Sequence, residues 1–250
     1  MLLLIDIGNT RIKWARLERG KLQPQGAAPH VDWNASTFIE TVLHAGGRGD
    51  RVLVGNVSGP RMADIVRSSV MQTWQVEPEF VTSSAAAGEV RNAYPQPQQL
   101  GVDRWLAIIG AHALERTAVC VVSVGTALTI DGVAADGRHL GGVIVPGPDL
   151  MVSSLLRNTS DIAQRAQQGT TSNALFADNT LGAIQQGAEH ALAALIERAV
   201  GVMRQSLQAT PTVVMTGGAS ARVEKSLELP YRTVPDLVLR GLAVLATASY

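Results

Sequence analysis

Leu2-Leu3-Leu4-Ile5-Asp6-Ile7-Gly8-Asn9-Thr10-Arg11-Ile12-Lys13 is the stretch whose reading decides the fold. An apolar run, an acid, a Gly-Asn-Thr turn and a second run from Ile12 to Leu17 predict a buried strand passing through a tight turn into another strand. Glu18-Arg19-Gly20-Lys21 supplies the next hairpin turn. A carboxylate at the end of a buried strand is costly unless it is paired or meets a cation. Gly8 lets the backbone turn tightly, and the amides and side chains of Asn9 and Thr10 can then donate to phosphate oxygens. A carboxylate beside phosphate is repulsive, so the arrangement makes sense if Asp6 holds Mg²⁺, directly or through water. A plain hairpin with a capping Asp is the other reading. Lys13 is a basic side chain placed to reach the same phosphates, whereas Lys21 and Lys225 read as solvated surface residues.

The device returns near the midpoint. Val119 to Val124 reads as a strand, Gly125-Thr126-Ala127 as its turn and Leu128 to Val133 as the returning strand. Asp136-Gly137 marks a further hairpin, and Leu140 to Val145 a third strand closed by Pro146-Gly147. The Thr126 hydroxyl is a natural phosphate donor, Asp131 fits a turn-capping acid, and Gly141-Gly142 and Gly217-Gly218 are places where backbone can approach a ligand or another strand. The repetition predicts an α/β chain of two similar lobes facing each other across a cleft. Residues 1–100 form an N-terminal lobe with the first phosphate motif, and residues 101–250 a C-terminal lobe with the second. The closing helix, Leu237 to Ala248, is free in this scheme to pack back on the N-terminal lobe.

The remaining elements are placed by the same rules. Arg51 to Val57 is an apolar strand stopped at Gly59-Pro60, Phe80-Val81-Thr82 a short strand, and Pro95-Gln96-Pro97-Gln98-Gln99 a loop. The first half thus reads mainly as strands and turns. Leu181, Ile184, Ala188, Ala191, Leu195, Ala199 and Val202 mark one face of a long helix, and Thr212 to Met215 returns to strand.

Composition bounds the function. The chain has 250 residues, 46% of them apolar and 17% charged, a globular balance. Lys plus Arg and Asp plus Glu are 21 each, which gives no electrostatic footprint for nucleic acid or an anionic membrane. The single cysteine, Cys120, lies in an apolar run and reads as a small buried hydrophobe. The N-terminal run lacks a basic flank and reads as a strand, not a signal peptide. The apolar stretch from Ala191 to Met203 is broken by Glu197 and Arg198, so no membrane span is expected and the location expected is cytoplasmic. There is no Gly-x-x-x-x-Gly-Lys-Ser/Thr loop and no Gly-x-Gly-x-x-Gly after a strand. The five histidines are scattered, without a zinc pattern.

Gly101-Val102-Asp103-Arg104-Trp105 opens a helix after the Pro/Gln loop. Asp103 in a first turn is favoured by the helix dipole alone. It also fits an acid–base role, taking a proton from a substrate hydroxyl, with Arg104 clamping an anionic group such as a carboxylate.

Taken in order, these motifs resemble those of the type III pantothenate kinases. Asp6-Ile7-Gly8-Asn9-Thr10 is similar to the family's first phosphate motif and Gly101-Val102-Asp103-Arg104 to its Gly-x-Asp-Arg motif. Gly125-Thr126-Ala127 with Asp131 resembles the second phosphate motif. Gly141-Gly142-Val143-Ile144-Val145-Pro146-Gly147 resembles the Gly-Gly-x-Ile-x-Pro-Gly run, and Thr216-Gly217-Gly218 the late glycine pair. The resemblance implies two ribonuclease H-like lobes around a central cleft, the duplicated fold of acetate kinase, sugar kinases, Hsp70 and actin. It implies transfer of the ATP γ-phosphoryl group to the terminal hydroxyl of pantothenate, opening coenzyme A synthesis. By motif match, Asp6, Ile7, Gly8, Asn9, Thr10, Arg11, Ile12 and Lys13 hold ATP phosphates with Mg²⁺, and Gly125 and Thr126 contact ATP. Asp103 is the general base. Gly101, Val102, Asp103 and Arg104 bind pantothenate, Arg104 at its carboxylate, with Tyr94 as a further substrate contact. Thr180 corresponds to a pantothenate contact supplied across a homodimer interface, which makes the long helix a candidate dimer element.

Ser123 departs from the pattern. Many members carry there an Asp that binds a monovalent cation, and a neutral hydroxyl is a far weaker ligand. Weak or absent stimulation by K⁺ or NH₄⁺ is therefore expected. Two other functions fit parts of the sequence: a kinase of the same superfamily acting on another small hydroxylated acid or sugar, and a non-catalytic accessory protein sensing nucleotide. A base beside an acceptor site argues against the second.

Overall fold

A computed structural model describes residues 1–45, 47–167, 169–171 and 174–248. The opening stretch forms β1 (Leu2–Ile7) and β2 (Arg11–Glu18), antiparallel, with Asp6 opposite Lys13 and Ile7 opposite Ile12. β3 (Lys21–Leu22) and β4 (Gly26–Pro29) both pair with β2. A short helix α1 (Ala35–Phe38) runs into a π-helical turn over Ile39–His44. β5 (Arg51–Asn56) then lies parallel to β1 on its other side.

Gly59-Pro60, expected to end a strand, also opens a helix, α2 (Pro60–Trp74). Proline at a first helical position loses no needed N–H and brings a preset φ. Met62, Val66, Val70 and Trp74 follow at four-residue steps and are all buried, so the first half is more helical than its turn residues suggest. β6 (Glu79–Phe80) adds parallel to β5, β7 (Ala86–Ala87) and β8 (Val90–Arg91) form a small ribbon, and α3 (Val102–Glu115) follows the Pro/Gln loop.

The pattern then restarts. β9 (Val119–Val124) and β10 (Ala127–Val133) pair antiparallel, and β11 (His139–Pro146) lies beside β10. α4 (Pro148–Asn158), α5 (Ser160–Ala166) and α6 (Thr180–Leu207) precede β12 (Thr212–Thr216), which is parallel to β9. α7 (Ser220–Glu224), β13 (Arg232–Thr233) and α8 (Leu237–Ala248) finish the chain. The two main sheets run β3-β2-β1-β5-β6 and β11-β10-β9-β12-β13. In each, a central strand has a hairpin partner on one side and two parallel strands on the other, which is the duplicated ribonuclease H-like arrangement.

The chain divides into two compact units. The first comprises Met1–Arg116, Ala135–Gly141 and Asp236–Tyr250, the second Thr117–Ala134 and Gly142–Pro235. In the first unit β1 is buried on both faces. Leu3, Ile5 and Ile7 pack with Val52, Val54 and the apolar face of α2, while Leu4 and Leu53 meet Leu106 of α3 and Leu239 and Leu242 of α8. α3 and α8 cross closely, since a side-chain carbon at Gly241 would lie 2.0 Å from the Leu106 carbonyl oxygen. That contact fixes the helix carrying Asp103 and Arg104.

In the second unit α6 packs on β9 and β10. Its buried side chains include Gln186, Ala188, Leu192, Ala193, Ile196 and Met203. Of the apolar stripe marked in the sequence, only Ala188 is in that set, while Ala191 and Val202 are exposed and the others half-buried. The helix is apolar on two adjacent faces, and periodicity alone does not say which one meets the sheet. Cys120 is fully buried as expected, and burial, helped by the charge of Asp131, pushes its thiol up to about 12.

Candidate active site

In the first unit, β1 carries Asp6 to the end of its sheet with only 8% of the residue exposed. Burial pushes its carboxyl up to about 7; Lys13 opposes that rise and the charge of Asp103 adds to it. The fold therefore brings Asp6, Lys13 and Asp103 into one electrostatic neighbourhood. At neutral pH Asp6 is poised between holding a proton and holding a cation. Among the described residues no three His, Cys, Asp or Glu side chains cluster to bind a metal unaided. A divalent ion at Asp6 would draw its remaining ligands from phosphate oxygens and water, which is the habit of Mg²⁺.

The turn after Asp6 is closed by the Gly8 N–H donating to the Arg11 carbonyl (3.0 Å). That amide is therefore used within the turn. Asn9 and Thr10 stand exposed, as does Arg11. The side chains of Ile7 and Ile12 are fully buried, so anything these two offer a ligand is backbone. Behind the turn sits His30, only 2% exposed. Its Nε2 lies 2.7 Å from the Gly8 carbonyl oxygen, and its own backbone N–H donates to the Thr10 carbonyl (3.3 Å). A carbonyl can only accept, so Nε2 carries the proton.

Asp103 is the second residue of α3, and its Oδ1 accepts from the Arg104 N–H (2.8 Å) at the positive end of the helix. Arg104 is buried, 6% exposed. Its Nη1 donates to the Tyr94 hydroxyl (3.2 Å), and the guanidinium carbon lies 5.9 Å from the centre of the Tyr94 ring. Tyr94 stacks in turn on His139, with ring centres 6.2 Å apart and planes 9° from parallel. His139 Nδ1 accepts from the Ala93 N–H (3.3 Å), while Asn92 Oδ1 accepts from the Tyr94 N–H (3.0 Å). Tyr94 and Arg104, singled out separately, thus form one assembly with His139 beneath it. Neither His30 nor His139 stood out in the sequence, because each meets its partner far along the chain and no local pattern marks it.

The second unit carries the other turn. The Gly125 N–H donates to the Ala127 carbonyl (2.9 Å), leaving Thr126 exposed at the tip. The Gly147 N–H donates to the Thr126 carbonyl (2.8 Å) and the Ala219 N–H to the Val124 carbonyl (3.0 Å). Gly217 has φ +101°, and a side-chain carbon there would lie 2.1 Å from the Val124 oxygen. The glycines of the Pro-Gly and Gly-Gly runs therefore abut this turn. Ser123 faces Thr129 on β10 and Thr216 on β12, so its row across three strands carries hydroxyls only. Asp131, expected to cap a turn, is instead buried in mid-strand opposite Val121. Thr180 opens α6, which Asn179 caps by accepting from the Gly182 N–H (2.9 Å).

No helix among the described residues is long and apolar enough to cross a membrane. A profile of the family described as type III pantothenate kinase matches residues 2–201. The type III pantothenate kinase of Nitrosococcus oceani is 38% identical over 98% of this chain and 94% of its own. That of Janthinobacterium sp. is 41% identical over 98% of this chain and 97% of its own. Among solved structures, a candidate 2-dehydro-3-deoxygalactonokinase from Sinorhizobium meliloti superposes with TM-score 0.63 at 13% identity, covering 100% of this chain and 99% of its own, a likeness of fold alone. Two-thirds or more of the chain is matched in each comparison, and the sequence relatives exceed 30% identity; the chain belongs to the type III pantothenate kinase family.

Proposed function

We propose that this chain transfers the γ-phosphoryl group of ATP to the terminal hydroxyl of pantothenate, the first step of coenzyme A synthesis. The observation that carries the reading is the convergence of Asp6, Lys13 and Asp103 in one unit, together with the buried Arg104 held against Tyr94. Asp103 takes the proton of the attacking hydroxyl as its oxygen bonds to phosphorus and the bond to the ADP oxygen breaks. Arg104 meets the pantothenate carboxylate, and its bond to Tyr94 sets the direction in which the guanidinium points. Gly101 and Val102 line the same acceptor side. The amides of Asn9 and Thr10 and the Lys13 ammonium are the phosphate donors of the first unit, and the Thr126 hydroxyl is that of the second. When bound, Mg²⁺ neutralises phosphate charge, and Asp6 is the residue that would hold it, directly or through water.

Further features of the reading follow from the family. Thr180 contacts pantothenate across a homodimer interface, and the half-exposed apolar stripe of α6 that contains Val202 is the face offered to the second copy. The reaction is cytoplasmic. Ser123, in its row of hydroxyls, gives weak or no response to K⁺ or NH₄⁺.

A coupled assay of ADP release tests the function. Turnover is expected with pantothenate and far less with hydroxylated acids and sugars of similar size. Absence of pantothenate-dependent ADP release would remove the activity. Equal efficiency with the alcohol that lacks the carboxylate would remove the role of Arg104.

A further inference from the structure

The five histidines have no motif among them, yet one lies directly behind the first turn. His30 is 2% exposed and bonds that turn twice, through Nε2 to the Gly8 carbonyl at 2.7 Å and through its backbone N–H to the Thr10 carbonyl at 3.3 Å. The side-chain bond matters for direction. A peptide unit is planar and trans, so the carbonyl of one residue and the N–H of the next point opposite ways. Drawing the Gly8 carbonyl inward onto a buried imidazole therefore turns the Asn9 N–H outward, to the exposed side of the loop. The Gly8 N–H is already used on the Arg11 carbonyl, which leaves the Asn9 amide as the first donor of the turn.

We propose that His30 is a positioning residue for the nucleotide phosphates: its Nε2–H fixes the Gly8–Asn9 peptide so that the Asn9 amide is aimed at phosphate before the nucleotide arrives. Without that bond the peptide is free to rotate, and its carbonyl can swing to where it would repel a phosphate oxygen. His30 touches no substrate; its effect passes entirely through the Gly8 carbonyl. The inference rests on the reading of the Asp6–Lys13 stretch as the phosphate site.

Two amide side chains that differ only in reach test it. In His30→Gln the amide nitrogen falls close to the place of Nε2, while in His30→Asn it is too short to meet the Gly8 carbonyl. The KM for ATP is expected to rise about tenfold in His30→Asn, the scale of one hydrogen bond, and to stay near the parent value in His30→Gln. The KM for pantothenate should not move in either. Equal ATP KM values in the two variants, or parallel rises for ATP and pantothenate, overturn the proposal. Thermal melting of both variants, with ATP affinity measured by calorimetry on the folded protein, keeps the comparison valid if His30→Asn turns over slowly. Lys13→Ala is run beside them. If it leaves ATP affinity unchanged, the phosphate reading itself falls and takes the proposal with it. If Lys13→Ala weakens ATP while His30→Asn does not, only the role of His30 falls.

Discussion

The turn at Gly8-Asn9-Thr10 and the turn at Gly125-Thr126 occupy the same place in two sheets of the same order, yet they differ in charge and in support. Two residues before Gly8 stands Asp6, opposite Lys13; two residues before Gly125 stands Ser123, opposite Thr129. On the far side of each central strand the partners are Gly55 and Thr216. One row thus holds an acid and a base, and its counterpart only hydroxyls. The first turn is braced from behind by an imidazole, the second by the backbone of Gly147 and Gly217. Duplication has kept the hairpin and let the electrostatics diverge, so the first turn is flanked by an acid and a base while the second offers uncharged donors.

The sharpest way to break that contrast is to silence Asp103, the proposed base of the first unit. Asp103→Asn is expected to lower kcat by about 10²- to 10⁴-fold, the range of a lost general base, with ATP binding retained. Normal turnover in that variant would move the base elsewhere.

The second turn should respond to shape instead. Gly217→Ala places a side-chain carbon against the Val124 carbonyl at a φ that L-residues resist, and is expected to cost about 2 kcal/mol or more of stability. Urea unfolding measures it. A neutral effect would mean the backbone behind Thr126 yields easily.

The buried charge of the first turn makes a pH prediction. Asp6 titrates at about 7 in the folded chain against 3.8 as its ordinary value. Between those two values the folded state holds a proton that the unfolded state has lost. Stability of the ligand-free protein therefore falls as pH rises through this window and levels off above it. Asp6→Asn should remove that slope and stabilise the ligand-free protein at alkaline pH, while activity is lost. A melting-temperature profile identical to that of the parent would refute the burial of Asp6.

The smallest effect expected is that of a monovalent cation. The parent enzyme should show little or no rise in rate when K⁺ replaces Na⁺ at fixed ionic strength, and Ser123→Asp should introduce one. Strong K⁺ stimulation of the parent would show that Ser123 does not decide the matter.

Much of this was legible in the sequence because it is local. A strand, a glycine turn and a returning strand announce themselves within about a dozen residues, and both turns fell where they were expected. Gly59-Pro60 carried two meanings at once, a strand's end and a helix's start, and only the packing of Met62, Val66, Val70 and Trp74 separates them. The face of α6 that meets the sheet was hidden for a related reason, since two adjacent apolar rows have the same period. Asp131 read as a turn cap although the strand expected from Leu128 to Val133 already passed through it, and the strand does run through it. The histidines lay beyond local reading altogether. His30 meets Gly8, and His139 meets Ala93 and Tyr94, across separations that only tertiary structure closes.

The close crossing of α3 by α8 has a consequence for how the protein is made. The ribosome delivers Met1 to Arg116 first, but the unit to which they belong also needs residues from Asp236 onward, and the contact at Gly241 and Leu106 is part of it. Everything the second unit requires has emerged by Pro235. Domains generally fold as units during synthesis, and the earlier one ordinarily closes first. Here the half begun first is finished last. Until the final helix is released, the side of the Asp103-bearing helix that faces it is uncovered, so a nascent chain has a complete second turn before that helix is fully packed.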